Sequence, residues 1–253
     1  MIDIHTHILP GVDDGARDIE ESVEMLRMAE SSGVRCLAAT PHCNIPGIFD
    51  NYISEELTEQ FLALKRVAER LKISTTVLSG MEVFSTPDLP WLLKNDRVFT
   101  LNRTRYFLTE FSFDEEPEFC DYILKKCTEL QYQPVIAHPE RYDFVQDNPR
   151  IAEHWAAQGY VIQLNKGSIL GRFGRSAKHT ADILIRKNLV SCVASDAHSA
   201  LRRTPHMEEI KEYLKEMYGT EYARMVLLEN PRRILTGQEV QPGQASFGEE
   251  KEF

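Results

Sequence analysis

The chain has 253 residues, 42% hydrophobic and 27% charged, with a net charge of −10, which fits an ordinary globular protein of one large α/β domain or two modest ones. That acidic balance argues against a nucleic-acid binder relying on overall electrostatics, while leaving room for a local basic pocket for a phosphorylated group. With no run of about 18 apolar residues and no basic start followed by an apolar core, neither a transmembrane helix nor a signal peptide is expected, and the expected location is the cytoplasm. In chain order the pattern is strand, loop, helix, repeated. Residues 2–7 alternate apolar and polar and read as a strand ending on His5 and His7, which at i and i+2 share a face. Residues 10–15 form a turn-rich loop containing Asp13 and Asp14. Asp18 is placed to cap the first helix, with Glu21 as its capping-box partner. A short apolar strand over 34–40 leads to Pro41 and His42, and 43–51 reads as a loop. A helix is expected over 54–71, with Leu57, Phe61, Leu64, Val67 and Ala68 on one face. A strand over 75–82 ends on Gly80, Met81 and Glu82, and the stretch through Pro87, Pro90 and Trp91 is less regular.

The second half repeats the rhythm. A strand over 106–111 carries Glu110, a helix covers 117–130, and a strand over 134–137 runs into His138-Pro139-Glu140-Arg141-Tyr142. A helix over 149–158, a strand over 160–165 and a helix over 176–187 follow. The last strand, 190–195, leads to Asp196-Ala197-His198, and helices near 205–218 and 221–228 complete the pattern. Strands alternating with helices at roughly 30-residue intervals indicate a parallel sheet or closed barrel. No linker splits the chain, so 1–237 reads as one domain and 238–253 as a polar, flexible tail. The five cysteines, Cys36, Cys43, Cys120, Cys127 and Cys192, form no Cys-x-x-Cys pair and read as reduced, mostly buried thiols.

Chemistry-bearing residues fall at one end of successive strands: His5 and His7, His42, Glu82, Glu110, His138, and Asp196 with His198. Polar residues cap strands commonly, and any one could be incidental; the weight lies in the set, since barrel active sites are built at the C-terminal ends of strands. Histidines mixed with carboxylates suit Mn²⁺, Zn²⁺ or Fe²⁺ better than Mg²⁺ or Ca²⁺. The set exceeds what one ion uses, and Glu82 could bridge two ions, with the Asp13-Asp14 loop adding a ligand. Arg141 and Arg203 follow the ligand motifs and could bind phosphate oxygens. Arg202 reads as a surface charge, Arg17, Arg172 and Arg175 are ambiguous, His154 and His179 read as structural, and Cys43 reads as neither ligand nor redox thiol.

These motifs together resemble the polymerase-and-histidinol-phosphatase (PHP) superfamily and, within it, the bacterial CpsB/CapC-type tyrosine-protein phosphatases of capsule and exopolysaccharide clusters. The residues that carry the resemblance are 3–15 (Asp-Ile-His-Thr-His-Ile-Leu-Pro-Gly-Val-Asp-Asp-Gly), Ala39-Thr40-Pro41-His42, Gly80-Met81-Glu82, Ala137 to Tyr142, and Ser195 to His198 with Arg203 to Met207. It extends from residue 2 to about 235, and implies a distorted (β/α)₇ TIM-like barrel with a trinuclear metal site, Mn²⁺ first and Fe or Zn as alternatives. Carried over by motif, one ion takes His5, His7, Glu82 and Asp196, a second takes Glu82, Glu110 and His138, and a third takes Asp14, His42 and His198. Arg141 and Arg203 would hold the phosphate, and Asp196 or His198 would serve the leaving group. The implied partner is a phosphotyrosine-bearing protein, a membrane-associated bacterial tyrosine kinase, with no nucleic acid and no membrane insertion. One departure is Cys43, where members often carry a second histidine. A small-molecule phosphatase of the histidinol-phosphate type on the same metals, and a non-catalytic metal-binding scaffold, are the competing readings.

Overall fold

The computed structural model describes residues 1–241 and 243–245. Nine strands are present among the described residues: β1 (Ile2–Thr6), β2 (Cys36–Ala39), β3 (His42–Cys43), β4 (Thr76–Ser79), β5 (Glu82–Phe84), β6 (Tyr106–Glu110), β7 (Gln133–Ala137), β8 (Val161–Asn165) and β9 (Cys192–Ala194). The helices are α1 (Ile19–Ser31), α2 (Glu55–Arg70), α3 (Leu89–Lys94), α4 (Pro117–Glu129), α5 (Asp143–Asp147), α6 (Arg150–Ala157), α7 (Lys166–Ile169), α8 (Arg175–Arg186), α9 (Glu208–Tyr218), α10 (Thr220–Arg224) and α11 (Asn230–Leu235). The short helices α3, α5 and α7 lie where the sequence pattern had too few turns to show a period.

The expected strands 34–40 and 75–82 each end early and are followed by a second short strand, β3 and β5. Pro41 lacks an N–H and interrupts the ladder between β2 and β3. Gly80 makes the matching break between β4 and β5, where an added Cβ would lie 2.9 Å from both Leu101 Cδ2 and Thr40 Cγ2. The strands therefore form two parallel sheets, β1-β2-β4 and β3-β5-β6-β7-β8-β9. This differs from the single barrel sheet expected. At the far side, Asp196 N donates to His5 O at 2.9 Å and His7 N to Ala197 O at 2.8 Å, with a parallel bridge between Thr6 and Ala197.

The strands' period of two separates plug from site. Ala38, Leu108, Val135, Val161, Cys192 and Ala194 belong to one buried apolar cluster. Residues two or four further along share their face: His42 beyond Ala38, Glu110 beyond Leu108, Gln163 and Asn165 beyond Val161, and Asp196 beyond Ala194. β1 breaks this rhythm, its register shifting between Asp3 and Thr6, so that Ile4 joins the plug while His5 and His7 reach the site. A larger apolar cluster, including Met25 and Leu26 of α1 and Phe61 and Leu64 of α2, fills the space between strands and helices.

The caps follow the expected chemistry in part. Asp18 Oδ1 accepts from Glu21 N at 2.8 Å, but Glu21 reaches back to Arg17, not to Asp18. Within the tail, Tyr106 donates to Gln238 O at 2.8 Å, Asn230 Nδ2 to Gln241 O at 2.8 Å, and Ala245 N to Asn188 Oδ1 at 2.8 Å. Residues 242 and 246–253 of the expected flexible tail lie outside the described residues.

Candidate metal centre

The strand ends converge on Glu82, whose side chain is buried at the start of β5. Its Oε2 lies 3.2 Å from both His5 Nε2 and His7 Nε2, and 3.1 Å from His42 Nδ1. Its Oε1 lies 2.9 Å from His138 Nε2. Two of the converging residues reach the site through strained backbone. His138 has φ 36° and Asp196 φ 50°, both in the left-handed region that non-glycine residues seldom adopt. Each follows a strand and turns its side chain into the cluster.

Hydrogen bonds assign the imidazole tautomers. Asp196 Oδ2 accepts from Asn165 Nδ2, Asn165 Oδ1 accepts from Gln163 Nε2 at 2.9 Å, and Gln163 Oε1 accepts from His5 Nδ1 at 2.9 Å. A carboxylate can only accept, so both amides are oriented by it, and His5 is left with a lone pair on Nε2. Asp13 Oδ2 likewise accepts from His7 Nδ1 at 2.7 Å. The two Nε2 lone pairs then face each other 3.2 Å apart, with Asp196 Oδ1 3.5 Å from each. Acceptors surround one point without a donor among them, and both Glu82 Oε2 and Asp196 Oδ1 are buried with no hydrogen-bond partner. A tetrahedral ion with ligands at about 2.0–2.1 Å holds them about 3.3 Å apart. The observed 3.2–3.5 Å separations match that spacing, so the donor set fits a divalent cation.

Two further groups adjoin this one. His42 Nδ1 lies 3.0 Å from Glu110 Oε1 and 3.1 Å from Glu82 Oε2, while its Nε2 is 3.5 Å from Asp14 Oδ1. His198 Nε2 is 3.4 Å from Asp14 Oδ1. Among the described residues, the groups whose ligand atoms lie close enough to hold an ion are His5-His7-Asp196, His42-Glu82-Glu110 and His7-Asp14-His42-His198. All nine residues expected as ligands meet here. His42 differs from the expectation in standing between two clusters, one ring nitrogen toward each. His138 joins through Glu82 and lies 3.7 Å from Glu110 Oε2.

Burial raises the Glu82 carboxyl, but His5, His42 and His138 outweigh it and hold the group well below the ordinary range. Asp196 is likewise lowered, burial being outweighed by His5, Arg203 and His198. Burial, together with His7 and Arg203, brings His198 down to about 2. At neutral pH Asp196 is therefore ionised and His198 neutral, so neither proton-donor candidate is in its acidic form. Asp13 falls to about 2: burial opposes this, and His7 and backbone N–H donors prevail.

Arg141 Nη1 lies 3.4 Å from Asp196 Oδ2, and Arg203 Nη2 pairs with the same oxygen. Their side chains keep 20% and 31% exposure, enough to meet a ligand in the cleft. Elsewhere Arg17 pairs with Glu21, Arg172 with Glu209 and His154 with Asp121, and His179 is exposed on α8. Cys43 is buried beside His42 and belongs to none of the clusters. The sequence reading missed Gln163 and Asn165, whose only signal was a polar i, i+2 pair closing an apolar strand. It also gave no role of its own to Asp13, which is buried and orients His7, while Asp14, 56% exposed, faces His42 and His198 as expected from the resemblance.

The sequence matches a family model for capsular polysaccharide synthesis, CpsB/CapC, over residues 1–236. It is 36% identical to tyrosine-protein phosphatase YwqE of Bacillus subtilis (strain 168), covering 95% of this chain and 93% of that one. It is 32% identical to tyrosine-protein phosphatase CpsB of Streptococcus pneumoniae, covering 94% and 99%. A crystal structure from work on YwqE and CpsB, described as metal-dependent tyrosine phosphatases, superposes with a TM-score of 0.88 at 36% identity, covering 98% of this chain and all of that one. With nearly its whole length matched, the chain belongs to the CpsB/CapC family of capsular polysaccharide synthesis proteins.

Proposed function

We propose that this protein is a metal-dependent protein-tyrosine phosphatase that regulates capsule or exopolysaccharide synthesis. The observation that carries the reading is the ring of acceptors around Glu82 and Asp196, two of them buried without partners, beside two partly exposed guanidiniums. The 31–36% identity to curated tyrosine-protein phosphatases supports the same conclusion. In this reading three ions are held: by His5, His7, Glu82 and Asp196; by Glu82, Glu110 and His138; and by Asp14, His42 and His198. Mixed nitrogen and oxygen donors suit Mn²⁺, Fe²⁺ or Zn²⁺, and the family resemblance puts Mn²⁺ first.

The chemistry such a centre supplies when loaded is activation of water near neutral pH and neutralisation of phosphoryl charge. The chain's own residues do the rest. Arg141 and Arg203 bind the non-bridging phosphate oxygens through paired N–H groups and offset charge as it develops. Asp13 and the Gln163-Asn165 pair keep His5 and His7 in the tautomer that presents Nε2. Asp196 and His198 act as ligands, not as acids. A tyrosyl phenolate, whose ordinary pKa is about 10, is a better leaving group than an alkoxide and needs less proton donation.

The substrate is phosphotyrosine on a membrane-associated bacterial tyrosine kinase, met in the cytoplasm. The two sheets, joined through the continuous β2/β3 and β4/β5 segments and by the Thr6–Ala197 bridge, support a distorted (β/α)₇ barrel forming one domain over residues 1–237. The test is metal analysis combined with turnover of a phosphotyrosyl peptide and of histidinol phosphate by stripped and reloaded protein. Peptide hydrolysis lost on stripping and restored by Mn²⁺ is the expected result. Preference for histidinol phosphate would move the assignment to a small-molecule phosphatase, and no hydrolysis with any divalent ion would overturn it.

A further inference from the structure

The two cleft arginines are not positioned by Asp196 alone. The Arg141 guanidinium packs against two phenylalanine rings, 4.8 Å from the Phe113 centroid and 4.6 Å from that of Phe173. Phe173 also carries the Arg203 guanidinium, at 5.5 Å. Ring and cation therefore alternate, Phe113, Arg141, Phe173, Arg203, with Phe113 and the two arginines lining the cleft and Phe173 behind them. Phe173 itself rests on bare backbone. A Cβ on Gly167 would lie 2.6 Å from its Cε2, so only glycine leaves room for the ring.

This stacking has a directional consequence. A guanidinium stacked on aromatic rings keeps its edge, where the N–H donors point, free for a ligand. The edge is the part that grips a phosphate bidentately. At the other end of the series, Phe113 is 39% exposed and lines the metal cleft, about 310 Å³ in volume, with Ile45 and Phe84 among the other apolar walls. Its inner neighbours are His138, edge-on at 6.2 Å, and Tyr142 at 6.0 Å, which fix the ring's position.

We propose that Phe113 is an aryl subsite that receives the phenyl ring of the substrate once its phosphate is on Arg141 and Arg203, and that Phe173 is the positioning residue holding both guanidiniums. The proposal rests on the phosphatase reading above and deepens it: the site selects aryl over alkyl phosphates. One bridging oxygen separates phosphorus from the ring, so a phosphate gripped beside Phe113 sets the substrate's phenyl group within the 4.5–7 Å centroid range, roughly, of aromatic pairs. A seryl or small alkyl phosphate offers that wall nothing to stack.

The test uses the Mn²⁺-loaded full chain and two non-hydrolysable probes, phenylphosphonate and methylphosphonate, measured by calorimetry, alongside turnover of phosphotyrosyl and phosphoseryl peptides. Phe113→Ala should lower the phenyl-over-methyl affinity ratio about tenfold, and the phosphotyrosyl-over-phosphoseryl ratio of kcat/KM with it, while Phe113→Tyr restores both. Phe173→Leu should weaken both phosphonates together by about five- to tenfold, raising KM with less effect on kcat, and Phe173→Trp should recover most of the loss. Metal content, measured in every variant, should stay at the wild-type value. An unchanged aryl-over-alkyl ratio in Phe113→Ala overturns the subsite, and unchanged phosphonate affinity in Phe173→Leu overturns the positioning role. If phosphonates bind with a Phe113-dependent phenyl preference but no phosphate ester is hydrolysed, the subsite stands and the phosphatase reading falls.

Discussion

Replacing Gln163 with Leu tests how the first metal cluster is held. The side chain is fully buried, accepts from His5 Nδ1 at 2.9 Å and donates to Asn165 Oδ1 at 2.9 Å. Leucine is close in volume but removes both bonds. His5 Nδ1–H then has no acceptor, Asn165 Oδ1 has no donor, and the amide chain that transmits Asp196's orientation to His5 is cut. A buried polar group left unpaired costs about 1–3 kcal/mol, and loss of a partner behind a metal-bound histidine typically lowers metal affinity about 10–100-fold. The two ranges agree, since each 1.4 kcal/mol is a factor of about ten. Equilibrium dialysis against a competing chelator should therefore show a 10- to 100-fold weaker first ion, roughly, in Gln163→Leu. Gln163→Glu keeps the acceptor for His5 and should lose less. Nitrogen chemical shifts of the His5 ring in metal-free protein, read at a pH high enough for the ring to be neutral, provide an independent readout, with the Nδ1–H tautomer dominant in wild type and mixed in the variant. Wild-type metal affinity together with an unchanged His5 tautomer in Gln163→Leu would refute the relay.

Other outcomes follow from burial and charge. Chelation should abolish activity while thiol alkylation spares most of it, because burial raises Cys36 to about 11 and Cys43 to about 12; strong loss on mild alkylation with metals intact would contradict this. Metal affinity should climb with pH through the neutral range. Burial disfavours protonation of His5, His7 and His42, but carboxylates including Glu82 outweigh it and raise all three, so ions must displace protons from them. Proton release in weak buffer measures this, and an affinity flat between about pH 6 and 8 would count against it. Lys166 is buried, and its ammonium donates to the carbonyls of Thr204 and His206, next to Arg203. Burial lowers it to about 8 from 10.5. Between those values the unfolded chain binds more protons than the folded one, so wild-type stability should gain on Lys166→Met by up to roughly 1 kcal/mol per pH unit. Parallel denaturant titrations at pH 8 and 10 check the sign.

Much of the site was legible in the sequence because strands have a period of two and end abruptly. A polar residue closing an apolar strand is visible locally, and Glu82, Glu110, His138 and Asp196 were found that way. Helix limits were legible where caps and apolar stripes agreed, as at Ser54 for α2, whose hydroxyl accepts from Leu57 N at 3.1 Å. The division of the sheet at Pro41 and Gly80 was not legible, since it depends on which backbone groups of two neighbouring strands miss each other.

By itself the sequence determined the alternation of strands and helices, the residue types at the strand ends, and hence a mixed nitrogen and oxygen metal site. Only the tertiary structure decided which of those groups face one another. His42 sits between two clusters because Nδ1 and Nε2 point in different directions, and no spacing along the chain encodes ring orientation. Asp13 and Asp14 differ by one position, yet one is buried against His7 and the other faces the cleft. Gln163 reaches His5 across 158 positions of chain, and Phe173 is brought against two arginines that lie 32 and 30 residues from it. Local patterns record which side chains a strand presents; the contacts that set tautomer, charge and edge orientation are formed between segments distant in sequence, and exist only once the chain is packed.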